Sequence, residues 1–290
     1  MLAGLLVSLL ALDVLAGPPS KYRNRPGVIM PIDRVEAEER LEAVRGYIPE
    51  SDLLLFFELV ERRSGQGEGR RLGILATGRI GNEAAHRFAL IESRIGAADG
   101  VRSYRLDEEW RLRSGSSPLI ERGLPGRSFE AVDRKQWMDP MVDGFSHTPF
   151  DLLMPFLYWE KFEYEGPDRV KGRSAHLIRF FPGEVDSEML EKHQIRSVRI
   201  ALDRKFNAPL LVEYLDEDES VVRSLRTVSF KEVDEVWTVG TVEARDFDRG
   251  LRSQLILVGG GAVPSVLPAL IDSPRGTIDI PFDALGLEWF

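Results

Sequence analysis

Alternation of apolar and polar positions dominates the chain from Ile195 to Val258. Val198, Ile200 and Leu202 share one parity, and Leu210, Val212 and Tyr214 share another run after the turn at Asn207-Ala208-Pro209. A third run, Val221 to Phe230, places Val222, Val228 and Phe230 together. A fourth carries Val236, Val242 and Ala244, with Trp237 and Val239 on the opposite parity. In the last, Leu251, Leu255 and Leu257 alternate with Arg252 and Gln254. Strand side chains point to opposite faces with a period of two, so each run predicts a strand with one apolar face. Spacers such as Asp216 to Glu219 and Phe247 to Gly250 are too short for parallel crossovers, so the strands form an antiparallel meander. A meander this long has to curl or pack against something.

Upstream the pattern begins differently. Asp33-Arg34-Val35-Glu36 has capping-box form, and Ala37, Leu41, Val44 and Ile48 recur as a helical stripe, which predicts a helix over Asp33 to Arg45. Leu53 to Val60 is apolar except for Glu58, the pattern of a strand covered on both faces. Arg70 to Gly78, Ala84 to Glu92 and Arg102 to Leu112 complete a first meander, with turns at Gly65-Gln66-Gly67 and Gly81-Asn82. Between the meanders lies QWMDPMVDGFSHTPFDLLMPFLYWEKFEY, dense in large apolar groups. Thr148-Pro149 is a helix start, with Thr as cap and Pro at the first helical position, and Pro155 one turn later keeps that helix short. Such a segment either lids a curled sheet or simply plugs its core. Its candidate ligand-facing residues are Trp137, Met141, Phe145, Phe150, Leu153, Phe156, Leu157 and Trp159.

Composition narrows the function. Net charge is −9 and pI about 5.2, whereas a nucleic-acid-binding domain is usually basic, so no nucleic-acid partner is expected. Arginines such as Arg196, Arg199, Arg223 and Arg226 are scattered along strands, as on solvated outer faces. Without cysteine there is no disulfide, thiolate metal site, thiol nucleophile or lipid-attachment cysteine. Leu2 to Ala16 is an apolar run ending in small residues, with Val14 and Ala16 at cleavage-site spacing. It lacks a basic flank and contains Asp13, and it is shorter than the roughly 20 residues of a membrane span. We read residues 1–16 as a secretory signal peptide and 17–290 as one β domain, irregular from about Gly259; a buried N-terminal helix is the other reading.

Enzyme signatures are weak. His86, His147, His176 and His193 have no metal-ligand spacing. Ser146-His147 is a neighbour pair without nucleophile context, and Gly259-Gly260-Gly261 reaches Pro264 where a dinucleotide loop needs glycine, so the glycines read as a hinge after the last strand. No catalytic residue, metal ligand or cofactor is assigned, and the chain is expected not to be an enzyme.

Three stretches carry a family resemblance: SHTPFDLLMPFLYWEKFEYEG, with its Thr148 to Leu152 helix opening; VRIALDRKFNAPLLVEYLDEDESVVRSLRTVSF, with Asp203, Pro209 and Glu213; and VGTVEARDFDRGLRSQLIL. Together with the order helix, meander, short helix, meander, they resemble the LolA/LolB-like outer-membrane lipoprotein-sorting proteins over roughly Asp33 to Val258. The tail departs from that pattern. The resemblance implies a mainly β fold, a half-open antiparallel barrel with helices covering its concave side; counting the alternating runs gives a curved sheet of about ten or eleven strands. It also implies a periplasmic carrier that shields lipid or lipoprotein acyl chains and exchanges them with membrane-bound donor and acceptor proteins. Met and aromatic groups suit a cavity of that kind. The alternative is a non-transporting periplasmic sensor or scaffold on the same fold that binds a protein partner. An open apolar cavity beneath Phe150 to Trp159 favours the carrier; a filled core favours the alternative.

Overall fold

In a computed structural model of the chain, the described residues are 30–45, 52–62, 69–80, 83–98, 101–113, 118–123, 128–234, 236–263, 276–281 and 288–289. The apolar run at 2–16, Ile48 of the expected stripe, and the turns expected at 65–67 and 81–82 lie outside them. Asp33 Oδ1 accepts the Glu36 amide at 2.8 Å and starts helix α1 (Arg34–Arg45), whose stripe of Ala37, Leu41 and Val44 is buried.

The first meander is β1 (Leu53–Arg62), β2 (Gly69–Ile80), β3 (Glu83–Ala98), β4 (Val101–Arg113), β5 (Leu119–Gly123) and β6 (Phe129–Ala131). The second is β7 (Lys161–Val170), β8 (Arg173–Phe181), β9 (Ser197–Asp203), β10 (Pro209–Leu215), β11 (Val221–Val233), β12 (Val236–Asp246) and β13 (Leu251–Ala262). Short helices α2 (Pro149–Leu153) and α3 (Glu184–Glu191) lie between strands, and β14 (Thr277–Pro281) and β15 (Glu288–Trp289) come after β13.

All described pairings are antiparallel and form one sheet in the order β6-β5-β4-β3-β2-β1-β13-β12-β11-β10-β9-β8-β7. The two meanders therefore join through β1 and β13, from Leu53↔Ala262 to Arg62↔Arg252. Strands β6 and β7 end the path without pairing to each other, so the curved sheet is a half-open barrel. Thirteen strands lie on the path, more than the ten or eleven expected, with β14 on β4 and β15 on β13 beside it. The surplus has local causes. β6 is 3 residues long, too short for an alternation to register. β7 contains Gly166-Pro167 and a bulge at Tyr164, which an edge strand tolerates because its outer N–H groups have no ladder to complete.

β1 is covered on both faces, as its sequence requires. Leu53, Leu55, Phe57 and Leu59 enter the main core, while Leu54 and Phe56 join a second cluster with Ile74, Tyr104 and Ile278. The glycine run is not a hinge, and the irregular tail does not begin at Gly259: β13 continues through Gly259, Gly260 and Gly261, opposite Phe56, Leu55 and Leu54. A Cβ on Gly260 would stand 2.7 Å from Leu54 O, so glycine is what permits this approach beside the bulge at Phe56/Phe57.

Two bulges also overturn the parity expected for β11. Val222 and Val228 are the extra residues in its ladders, so Val228 is exposed rather than inward. Arg223, expected on the outer face, faces inward with Leu225 and is buried. Arg199 and Arg226 do sit on part-exposed positions, paired with Glu213 at 2.7 Å and Glu243 at 2.6 Å. Arg226, Arg245 and Arg252 all converge on the buried Glu243 carboxylate.

Candidate functional site

The segment between β6 and β7 fills the concave side of the sheet. Thr148 is the cap of α2: its Oγ1 accepts from Asp151 N at 3.2 Å, and Thr148 N donates to Asp151 Oδ2 at 2.8 Å. Pro149 opens the helix and Pro155 ends it: Met154 takes a left-handed conformation (φ 45°), and a 3₁₀ turn comes next over Pro155–Tyr158. This is the short, broken helix that the two prolines predict.

All eight candidate residues are brought together. Trp137, Met141, Phe145, Phe150, Leu153, Phe156, Leu157 and Trp159 are buried in one core cluster with the inward side chains of α1 and of both meanders. Phe150 and Phe156 form the centre, with ring centroids 6.1 Å apart and 6.2 and 6.5 Å from Tyr214 of β10, and Phe156 lies 5.8 Å from Phe180 of β8. The core beneath Phe150 to Trp159 is thus filled. Of the cavities of about 260 and 200 Å³ in this region, the first is mixed in lining and the second mainly polar, and neither is lined by any of the eight.

Beneath the apolar plug lies a polar network that periodicity did not reveal. Asp151, fully buried, accepts from Tyr214 Oη at 2.6 Å and from the Arg223 guanidinium, which also donates to Ser146 O. Ser253 Oγ of β13 accepts from Ser146 N at 2.9 Å and lies 3.0 Å from His147 Nδ1. Burial opposes the charge of Arg223, but Asp151 outweighs it and holds the guanidinium above its ordinary pKa. Burial, with Asp151 adding to it, pushes the Tyr214 hydroxyl well up, so it stays a donor. Burial pushes His147 down to about 4, so the imidazole is neutral at pH 7.

The Ser253–His147 contact is sealed from solvent and lacks the third, orienting group of a catalytic triad. Ser253 is fully buried, His147 Nε2 has no hydrogen-bond partner, and the carboxylate nearby is committed to Tyr214, Arg223 and Thr148. These groups fasten the plug to β10, β11 and β13. At the other end, Trp159 Nε1 donates to Asp186 of α3 at 2.7 Å, and Arg134 donates to the same carboxylate at 2.7 and 3.1 Å. Arg45 of α1 donates to Leu157 O at 2.6 Å. The other histidines are dispersed: His86 lies 3.0 Å from Thr77 Oγ1 and His176 3.0 Å from Tyr164 Oη.

Of the missed residues, only Asp151 left a local trace, as the acidic third residue after the Thr148 cap. Asp186 stands in the first turn of α3, after Gly183, a helix start that the strand-dominated reading passed over.

Solved structures with this architecture are known. A domain named for outer membrane lipoprotein sorting, from Vibrio parahaemolyticus, superimposes with a TM-score of 0.62 at 16% identity, over 79% of this chain and 91% of its own. A DUF1329 family protein from Desulfovibrio piger gives 0.62 at 13% identity, over 83% and 98%. A LolA superfamily protein from Nitrosomonas europaea gives 0.52 at 9% identity, over 80% and 93%. No protein-family model and no curated protein sequence matches the chain. The half-open barrel is the fold these three structures share with the chain.

Proposed function

We propose that the protein is a periplasmic carrier of lipid or lipoprotein acyl chains, seen in its closed form, with residues 137–159 as the lid. The observation that carries this reading is the construction of the plug: a separate apolar segment, broken by two prolines, held by a few polar contacts over the concave face of a carrier-type fold.

Magnitudes define what the ligand must supply. Exposing eight large apolar side chains to water costs roughly 12–24 kcal/mol at about 1.5–3 kcal/mol each. At ~0.8 kcal/mol per methylene, replacing that burial takes about 15–30 methylenes, one to two long acyl chains. The lid therefore does not open to water; it exchanges with chains. The role needs no bond-making chemistry, and membrane-bound donor and acceptor proteins are its expected partners. Export through the 1–16 leader belongs to the same proposal.

The filled core favours the second reading, a non-transporting module that binds a protein partner. One experiment separates the two. The chain has no cysteine, so Ser146→Cys with Ser253→Cys gives a single engineered pair joining lid and sheet. Delipidated protein would be incubated with phospholipid vesicles and read by native mass spectrometry. Uptake that is lost on oxidation and restored by reduction supports the carrier. Equal uptake by oxidised and reduced protein refutes the lid, and no uptake by the unmodified protein leaves the module reading.

A further inference from the structure

The cavity of about 200 Å³ lies where α3 runs into β9, bounded by the start of β11 and the β12–β13 turn. Met138, Ile195 and Val222 form its apolar wall and belong to the same core cluster as the lid residues. The facing wall carries both charges: Lys192, Arg223 and Arg249 against Asp246 and Asp248.

Arg223 is tightly paired with Asp151 behind this wall, but the ion pairs across it are long. Arg223 Nη1 and Arg249 Nε stand 4.0 and 3.8 Å from Asp246, and Lys192 Nζ is 3.9 Å from Asp139. Arg223 is 5% exposed, yet its Nε has no hydrogen-bond partner, and His193 Nε2, also lining the cavity, has none. Buried polar groups are normally satisfied, so an unpaired Arg223 N–H and an unpaired His193 ring nitrogen at this wall leave hydrogen-bonding capacity for a partner there. Burial, with Lys192 as the next contributor, holds His193 below its ordinary pKa.

The two carboxylates disfavour a bare anion, and the cations disfavour a bare cation. A group carrying both charges suits the wall, and the volume is below the ~300–1,000 Å³ of drug-sized sites, so the group is small. We propose that the cavity seats the phosphoethanolamine headgroup of a phospholipid. The phosphate faces Arg223, His193, Lys192 and Arg249, the ammonium faces Asp246 and Asp248, and the chains pass Met138, Ile195 and Val222 into the core. This rests on the carrier reading and names its ligand. Because Arg223 also holds Ser146 and Asp151, headgroup docking and lid fastening meet at one guanidinium.

The test uses the full chain, delipidated and titrated with short-chain phosphatidylethanolamine, phosphatidylglycerol, a fatty acid and free O-phosphoethanolamine. The readouts are affinity and the His193 imidazole NMR signal. The expected result is about tenfold tighter binding of the ethanolamine lipid than of the glycerol lipid. On binding, His193 titrates at higher pH, since a nearby phosphate favours its charged form. Lys192→Gln with Arg249→Gln, both on exposed side chains, weakens both phospholipids alike, whereas Asp248→Asn, also exposed, abolishes the preference. Equal affinity for all three lipids with His193 unmoved overturns the headgroup site and leaves the carrier standing. No lipid binding overturns both. A His193 response to free O-phosphoethanolamine without lipid binding also overturns the proposal, in favour of a water-soluble ligand.

Discussion

Replacing Asp151 by Asn tests whether the lid is fastened by charge. The substitution preserves shape but leaves a neutral amide beside the Arg223 guanidinium, with no charge to balance it. Removing one partner of a buried ion pair costs about 3–5 kcal/mol, because the other charge stays buried and unpaired. Arg223 keeps Ser146 O and the Asp246 carboxylate at 4.0 Å, so the loss belongs at the lower end, ~3 kcal/mol. Arg223→Met should cost less, ~2 kcal/mol, since Asp151 retains the Tyr214 hydroxyl and the Thr148 amide. The double variant should be no worse than Asp151→Asn alone, giving a coupling of about 2 kcal/mol. Urea unfolding at pH 7 measures all four corners of the cycle, with unchanged m-values as the control for two-state behaviour. Hydrogen exchange over 148–159 should quicken in the single variants. An Asp151→Asn cost below ~1 kcal/mol, or additivity within ~0.5 kcal/mol, would show that the pair does not hold the lid.

Acid should weaken the fold through its buried histidines. Burial holds His86 at about 3 and His147 at about 4, whereas the unfolded chain restores values near 6.5. As pH falls from ~6.5 towards 4, the unfolded state binds protons that the folded state cannot, so stability drops on the order of 1 kcal/mol per pH unit per histidine. A urea midpoint unchanged between pH 7 and pH 5 would contradict this. On the outer face, Glu243→Gln leaves three part-exposed arginines around a neutral amide and should cost about 1–2 kcal/mol, discounted for solvent screening. That loss should shrink in 1 M salt, whereas the buried Asp151 pair should respond little; thermal melts at two ionic strengths compare them.

What the sequence revealed was local in origin. The alternation of β9 and β13, the Asp33 cap, and the Thr148-Pro149 start with its Pro155 stop each depend on a few neighbouring residues, and each is found in the structure. In β10 and β12 bulges break it: Leu210 packs apart from Val212 and Tyr214, and Val239 joins Val236 and Val242 in the core. Arg223 shows why the rest was hidden. One bulge residue, Val222, reverses the parity of the strand beyond it, and no periodicity announces where a bulge falls. The partners of the lid are 63, 72 and 106 residues from Asp151 or His147 in the chain, so their pairing has no local signature. The eight apolar residues were legible as a cluster because burial follows from their size. That the cluster packs solidly against the sheet, rather than enclosing space, depends on Tyr214, Phe180 and α1 arriving from elsewhere.

The β1–β13 pairing carries a consequence for how the molecule is made. β1 is strongly apolar, and its partner on one side, β13, is the last in sequence of the thirteen strands on the path. A chain threaded out from its N-terminus therefore holds an unpaired, sticky border on its first half until the second half has been delivered. Pairing over such sequence distance is slow and leaves incomplete chains prone to aggregate. Truncation before β13 should yield insoluble protein, and a chaperone that shields β1 during delivery should matter more for this protein than for one of equal stability whose strands pair only with their neighbours in sequence.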